Sequence, residues 1–195
     1  MNFKGNSIFR SNSADRGGGM LVKNSILYFS VSSMFGNNSA AHFGGGIHSR
    51  SSILNFNGTS IFKNNGAYNG GGIDAYLNST LNFSGNITFE NNSVAHLGGG
   101  IFAQTSILNF SGSSTFRNNS AARYGGGIGV VYNTLMNFNG NSIFRNNSAE
   151  YGGGIFAQNS TLNFSRSSTF ENNSAAHYGG GIDAVYNTLM NFNWW

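Results

Sequence analysis

His48 and Asp74 occupy matching places in the stretches Gly44-Gly45-Gly46-Ile47-His48 and Gly70-Gly71-Gly72-Ile73-Asp74. Stacked on each other they make an imidazole–carboxylate pair, with Arg50 close by. Such a pair orients a histidine for proton transfer when a nucleophile stands on its other side. No such partner accompanies it in the sequence, so the expectation is a surface ion pair rather than a catalytic dyad. Asp74 and Asp183 share one outward position but lie four repeats apart, about 19 Å at the spacing of stacked strands. That is too far for two carboxylates acting on one glycosidic bond. His42, His96 and His177 also share a position, with Tyr68, Arg123 and Glu150 interleaved in the column, and metal ligands must converge within a few ångströms. The chain has no cysteine, which removes thiol chemistry and thiolate metal sites. The reading is therefore of a chain that is not an enzyme, with no catalytic residue, cofactor or metal site assigned.

Surfaces are the better candidates. Phe102 and Phe156 are expected to protrude two repeats apart, with Gly129 as a notch between them and Gln104 and Gln158 alongside. Exposed aromatics around a notch fit a sugar or a protein contact. Asn55, Asn82, Asn109, Asn137, Asn163 and Asn191 form an outward column, a flat face that suits a glycan, another rod or ice. Regular threonine columns would favour ice; here Thr80 and Thr161 alternate with Ile53, Ile107, Leu135 and Leu189. Asn37, Asn91, Asn118, Asn146 and Asn172 begin Asn-x-Ser sequons and become glycan acceptors if the chain passes through a eukaryotic secretory route. The net charge of +4 comes from ten scattered bases, with no basic run for nucleic acid. Lys63, Glu90 and Arg117, then Arg145 and Glu171, should stack as exposed pairs of small energetic weight.

These side chains need a scaffold that repeats. Gly-Gly-Gly begins at 17, 44, 70, 98, 125, 152 and 179, a period that marks a solenoid. Within a repeat such as Gly152-Gly153-Gly154-Ile155-Phe156-Ala157, Ser160-Thr161-Leu162-Asn163-Phe164 and Ser168-Thr169-Phe170, apolar residues alternate with period two, as in strands with one buried face. The expectation is an all-β parallel β-helix of about seven coils of 27 residues, with three short strands per coil, filling residues 1–195 as one domain. Four inward ladders follow: Ile47 to Ile182, Leu54 to Met190, Phe56 to Phe192 and Phe9 to Phe170. Asn12, Asn38, Asn65, Asn92, Asn119, Asn147 and Asn173 follow the last ladder by three residues. They belong at a bend, where their amides bond each other along the stack. Proline is absent, as expected where nearly every stretch donates to a ladder. No stretch approaches the ~20 apolar residues of a membrane span, so this segment is not expected to insert in a membrane.

Phe-x-x-Asn followed by Gly-Gly-x-Ile in six of the seven coils (the first has Met20), as in Phe144-Arg145-Asn146-Asn147 and Gly152-Gly153-Gly154-Ile155, resembles the repeats of the polymorphic outer membrane proteins of chlamydiae. The resemblance covers essentially the whole chain, although that family commonly has alanine as the third residue where this chain has glycine. It implies a right-handed β-helix and a surface or adhesive role. Met1-Asn2-Phe3 returns as Met190-Asn191-Phe192, and neither end carries the polar cap that solenoids need for solubility. Met1, Phe3, Phe192, Trp194 and Trp195 are then candidate stacking ends, either within a longer array or between subunits head to tail. The resulting expectation is a non-enzymatic extracellular or cell-surface repeat protein for adhesion or for a structural, filament-forming role. Its partners would be other copies of itself or a host or cell-surface protein or glycan, not nucleic acid. A carbohydrate-binding or polysaccharide-degrading β-helix is the alternative, and an ice-binding one the next.

Overall fold

The computed structural model describes residues 1–193, which form one continuous stack of coils. Each strand pairs in parallel with its copy in the next coil, giving one eight-stranded and three seven-stranded sheets. The coil therefore has four strands, not three. In one coil they are Ile73–Tyr76, Thr80–Phe83, Ile87–Glu90 and Ser93–Leu97. The additional strand begins just after the buried asparagine. It opens on small or polar residues and in several coils carries a large one only at its end (Phe43, Leu97, Tyr151), so it lacks apolar alternation. A turn at the preceding asparagine separates it from the Phe strand: Asn37, Asn64, Asn91, Asn118, Asn146 and Asn172 all sit at φ between 53° and 56°. Asn tolerates this left-handed conformation better than most residues. The same turn holds the sequon asparagines Asn37, Asn91, Asn118, Asn146 and Asn172 on the outside, where all five are exposed.

The four inward ladders are present in register, for example Ile73 on Ile101, Leu81 on Leu108, Phe83 on Phe110 and Phe89 on Phe116. The two phenylalanine columns stack ring on ring, with centroids 4.9 Å apart for Phe83–Phe110 and for Phe89–Phe116. Across the core the columns meet edge to face, at 5.9 Å for Phe110–Phe116. Both arrangements suit the aromatic quadrupole. One contiguous apolar core results, from Val22 to Phe164.

The asparagine ladder is also present. Asn92 Nδ2 donates to Asn119 Oδ1 at 2.9 Å and to the Phe62 carbonyl at 2.9 Å, and the Asn92 amide N–H donates to Asn119 Oδ1 at 3.1 Å. The unit repeats from Asn12 to Asn173. The irregular repeat length is absorbed in two places. Four-residue strands such as Gly66–Asn69 pair with five-residue ones such as Ser93–Leu97 through a register shift. The turn after the Ile strand uses one left-handed residue in some coils (Ser51, Thr105) and two in others (Leu77 with Asn78, Tyr132 with Asn133).

The first glycine of each triplet does what no other residue can do without strain. Gly98 has φ +69°, and a Cβ there would lie 2.2 Å from the Ile101 carbonyl oxygen. Gly98→Ala is therefore expected to cost about 1–3 kcal/mol from the left-handed backbone alone, with the steric contact added. A urea midpoint unchanged from the parent would refute this.

Candidate functional site

The seven left-handed glycines make a re-entrant corner. In the sheet of the additional strands, such as Ser39–Phe43 and Ser93–Leu97, the strand ends place Arg16, Phe43, Asn69, Leu97, Tyr151 and Tyr178 in one row, which Tyr124 joins by bridges to Leu97 and Tyr151. The chain turns at the glycine and starts the Ile strand, whose second residue faces outward. The two rows of side chains meet across the corner. Leu97, Tyr124 and Tyr151 pack on Phe102, Val131 and Phe156 in a second apolar cluster outside the main core. Tyr124 lies 4.7 Å from Phe156, centroid to centroid.

This overturns the expected protrusion of Phe102 and Phe156. They face outward, but they are only 6% and 5% exposed, because the end of the neighbouring strand lies over them. Gly129 does sit between them in the ladder, and it too is buried. Gln104 and Gln158 remain half-buried on the rim, and their side-chain amides make no hydrogen bond to the protein among the described residues.

A groove of about 690 Å³ runs along this corner. Its floor is His48, Asp74, Phe102 and Phe156; one wall is Arg16, Phe43, Asn69, Leu97 and Tyr124; the other rim is Arg50, Tyr76, Gln104, Val131 and Gln158. Tyr68 on one edge and Tyr132 on the other are 47% and 51% exposed. From the coil of Arg16 to that of Gln158 the groove spans five strand steps, about 24 Å.

The His48–Asp74 pair is the polar centre of the floor. Nδ1 of His48 lies 2.8 Å from Asp74 Oδ1, and the two side chains are 6% and 2% exposed. The pair expected on the surface from the sequence is thus buried. Phe43 stacks on the imidazole at 5.6 Å, and Arg16 lies 5.4 Å over the Phe43 ring. The second oxygen, Asp74 Oδ2, is buried without a hydrogen-bond partner among the described residues. Burial pushes the Asp74 carboxyl above the usual carboxylate range, while the His48 hydrogen bond, the charge of His48 and that of Arg16 pull the other way. Because the folded state holds this proton to higher pH than the unfolded chain does, Asp74 makes stability fall as pH rises from about 3.8 through its raised value. Asp74→Asn is expected to flatten that part of the profile. Urea midpoints at pH 4 and at pH 7 would test it, and an unchanged difference between them would refute it.

Other candidates distribute differently. His42 pairs with Asp15 at 2.6 Å, His177 with Glu150 at 3.3 Å, and the His96 ring stacks on Tyr68 at 5.2 Å, so these histidines go to separate partners. Burial and then the charge of Arg123 lower the pKa of His96. No group of three or more His, Asp or Glu gathers as a metal site among the described residues. The outward Asn column bonds within itself: Asn82 Nδ2 donates to Asn55 Oδ1 at 2.8 Å, and the pattern continues to Asn191. These amides are largely spent on one another. Arg117 meets Glu90 at 2.9 Å and Arg145 meets Glu171 at 2.7 Å, as the stacking predicted, whereas Lys63 lies opposite Glu90 in the ladder without an ion pair among the described residues. Met1 and Phe192 are exposed on the terminal coils and Phe3 is half-buried; Trp194 and Trp195 lie outside the described residues. The re-entrant corner itself escaped the sequence reading. Its only sequence signal is the large residue that often precedes the triplet, such as Phe43, Leu97, Tyr124 or Tyr151.

Fold and groove together define a class: a parallel β-solenoid repeat protein with a lateral groove. Residues 86–104, 113–130, 137–158 and 167–185 each match the Chlamydia polymorphic membrane protein repeat, so the chain carries the repeat of that family in four successive coils. No curated protein and no solved structure matches the chain. Family and fold fit a surface repeat protein. No helix among the described residues is long and apolar enough to cross a membrane.

Proposed function

We propose that the chain is an adhesive module displayed at the cell surface or outside the cell, with the lateral groove as its contact surface for a host or cell-surface molecule. The observation that carries this reading is the groove: about 690 Å³ of concave surface on a rigid ladder, edged by exposed Tyr68 and Tyr132. Concave, partly apolar surfaces with a few convergent polar groups are the usual form of ligand sites, and aromatic side chains carry much of the binding energy at contacts. The role is one of binding rather than turnover. Asp74 and Asp183 stand four coils apart, and the nearest hydroxyl in sequence, Ser49, turns inward to bond Ser79 at 3.2 Å. Tyr68→Ala with Tyr132→Ala is expected to lower binding of the purified chain to cells at least fivefold while leaving the urea midpoint within error. Undiminished binding by the double variant would move the contact surface elsewhere.

The terminal coils favour a second reading, self-association. Among the described residues, strand Asn2–Phe3 and strand Leu189–Phe192 each pair on one side only, and unpaired edges template pairing with further strands. Sedimentation at rising concentration tests it: growth of the sedimentation coefficient supports stacking, and a constant monomer value removes it.

A further inference from the structure

We propose that the chain self-associates head to tail by strand replacement, with Leu189–Phe192 of one copy displacing Asn2–Phe3 of the next copy. This inference rests on the self-association reading and specifies the polarity of the contact and the strands that make it.

The path of the chain sets the geometry. Every strand stacks on its equivalent one coil earlier, so the place next in line after Leu189–Phe192 lies on Ser168–Glu171. Ser7–Arg10 of a second copy fits that place. Asn2–Phe3 of the same copy precedes it by one strand, and would then fall on the site that Leu189–Phe192 already fills. One of the two must yield. Both carry the tripeptide Met-Asn-Phe, at 1–3 and at 190–192, so each can face Ile26–Phe29 with the same side chains. Asn2–Phe3 meets that strand at two positions only, Asn2 on Tyr28 and Phe3 on Phe29. Leu189–Phe192 pairs over its whole length with the preceding coil. In the same register its open side adds Leu189 on Ile26 and Met190 on Leu27. The longer strand therefore replaces the shorter.

The two ends are complementary group by group. In the buried asparagine ladder each residue donates its backbone N–H and Nδ2 to Oδ1 of the next. The ladder thus stops with an acceptor at one end and a donor at the other. Among the described residues Asn12 Oδ1 receives no hydrogen bond and the Asn173 backbone N–H gives none. Head-to-tail stacking joins them, whereas two like ends would set acceptor against acceptor or donor against donor. Charge has the same polarity. Arg10 lies opposite Gly36, without an ion pair among the described residues, and Glu171 ends its column. The junction puts Arg10 on Glu171 and Phe9 on Phe170, both phenylalanines being only half-buried in the single chain. A heterologous contact of this kind does not close on itself, so further copies extend it.

The test uses the whole purified chain, which has no cysteine, so a disulfide can report the junction. Ile8 and Thr169 face outward on the two strands that would meet. Within one chain they lie six strand steps apart, about 29 Å, beyond the reach of a disulfide. Ile8→Cys with Thr169→Cys is expected to give covalent dimers, trimers and longer species on mild oxidation, while each single variant stays monomeric on a denaturing gel. Both positions are exposed, which keeps this readout independent of any loss of folding. Phe192→Ala is expected to weaken association about tenfold or more, as loss of a buried aromatic anchor does. Phe3→Ala is expected to strengthen it several-fold, because it loosens the strand that must leave. A merely structural role would move both in the same direction. A parent chain that stays monomeric in sedimentation removes self-association and this inference together. Growth with concentration but no cross-chain disulfide, or covalent dimers of Ile8→Cys alone, keeps self-association and overturns the polarity. The expected disulfide together with weaker association of Phe3→Ala overturns the replacement of Asn2–Phe3.

Discussion

Phe116→Ala is expected to destabilise the chain by about 3–5 kcal/mol, the range for deleting a buried phenylalanine. Phe116 is fully buried and stacks on Phe89 at 4.9 Å and on Phe144 at 4.8 Å, with Phe110 edge-on at 5.9 Å. Its removal takes contacts from three rings at once and leaves a void in the middle of a column. The loss is a large share of the ~5–15 kcal/mol that holds an ordinary domain. Position along the stack should matter, because each coil touches only its neighbours. Phe9 stacks on one ring only, Phe35 at 4.7 Å, and is half-buried. Phe9→Ala should therefore cost markedly less. Urea midpoints for both variants decide the point; equal shifts would mean that the column does not act as a stack of nearest-neighbour contacts.

That ladder was legible in the sequence because period-two alternation and a fixed eight-residue gap from the Leu/Met column to the Phe column place its members without knowledge of the turns. The strand that escaped shows the limit of such patterning. Ser93–Leu97 and its copies carry one small apolar residue each on the inner side, as with Ala40, Val94 and Ala121, so no alternation announces them. Their partner is instead fixed by the asparagine ladder beside them. The variable repeat length was visible, but the sequence could not say that a register shift inside this strand absorbs part of it. For the site, equivalence of His48 and Asp74 was readable from the count between glycine triplets. Their burial was not. It depends on the handed turn at Gly44 and Gly70, which brings Phe43 and Asn69 against the outward face of the Ile strand. The same non-local packing turned Phe102 and Phe156 from expected surface anchors into the floor of a groove.

Asn92→Ala is expected to cost about 3 kcal/mol or more, although it deletes only a small polar group. Asn92 Oδ1 accepts from the Asn65 amide N–H and from Asn65 Nδ2, both at 3.0 Å, while its own Nδ2 donates to the Phe62 carbonyl and to Asn119 Oδ1. Alanine strands donors of Asn65 in a buried site and takes a donor from Phe62, and each unsatisfied buried group costs about 1–3 kcal/mol. Aspartate separates the polar requirement from the loss of volume. Asn92→Asp keeps the shape and the acceptor for Asn65, but an ionised carboxylate offers no proton to the Phe62 carbonyl or to Asn119 Oδ1. Protonation restores one donor. Burial and the two facing oxygens both favour the protonated form, so the carboxyl should titrate above its unfolded value in the folded chain. The folded state then binds more protons than the unfolded one, and stability must fall as pH rises through that window. Asn92→Asp should lie close to the parent at pH 4 and well below it at pH 7, whereas Asn92→Ala should show the same deficit at both. Urea midpoints at the two pH values measure this, and a pH-independent deficit for Asn92→Asp would show that the ladder stabilises by shape rather than by its hydrogen bonds.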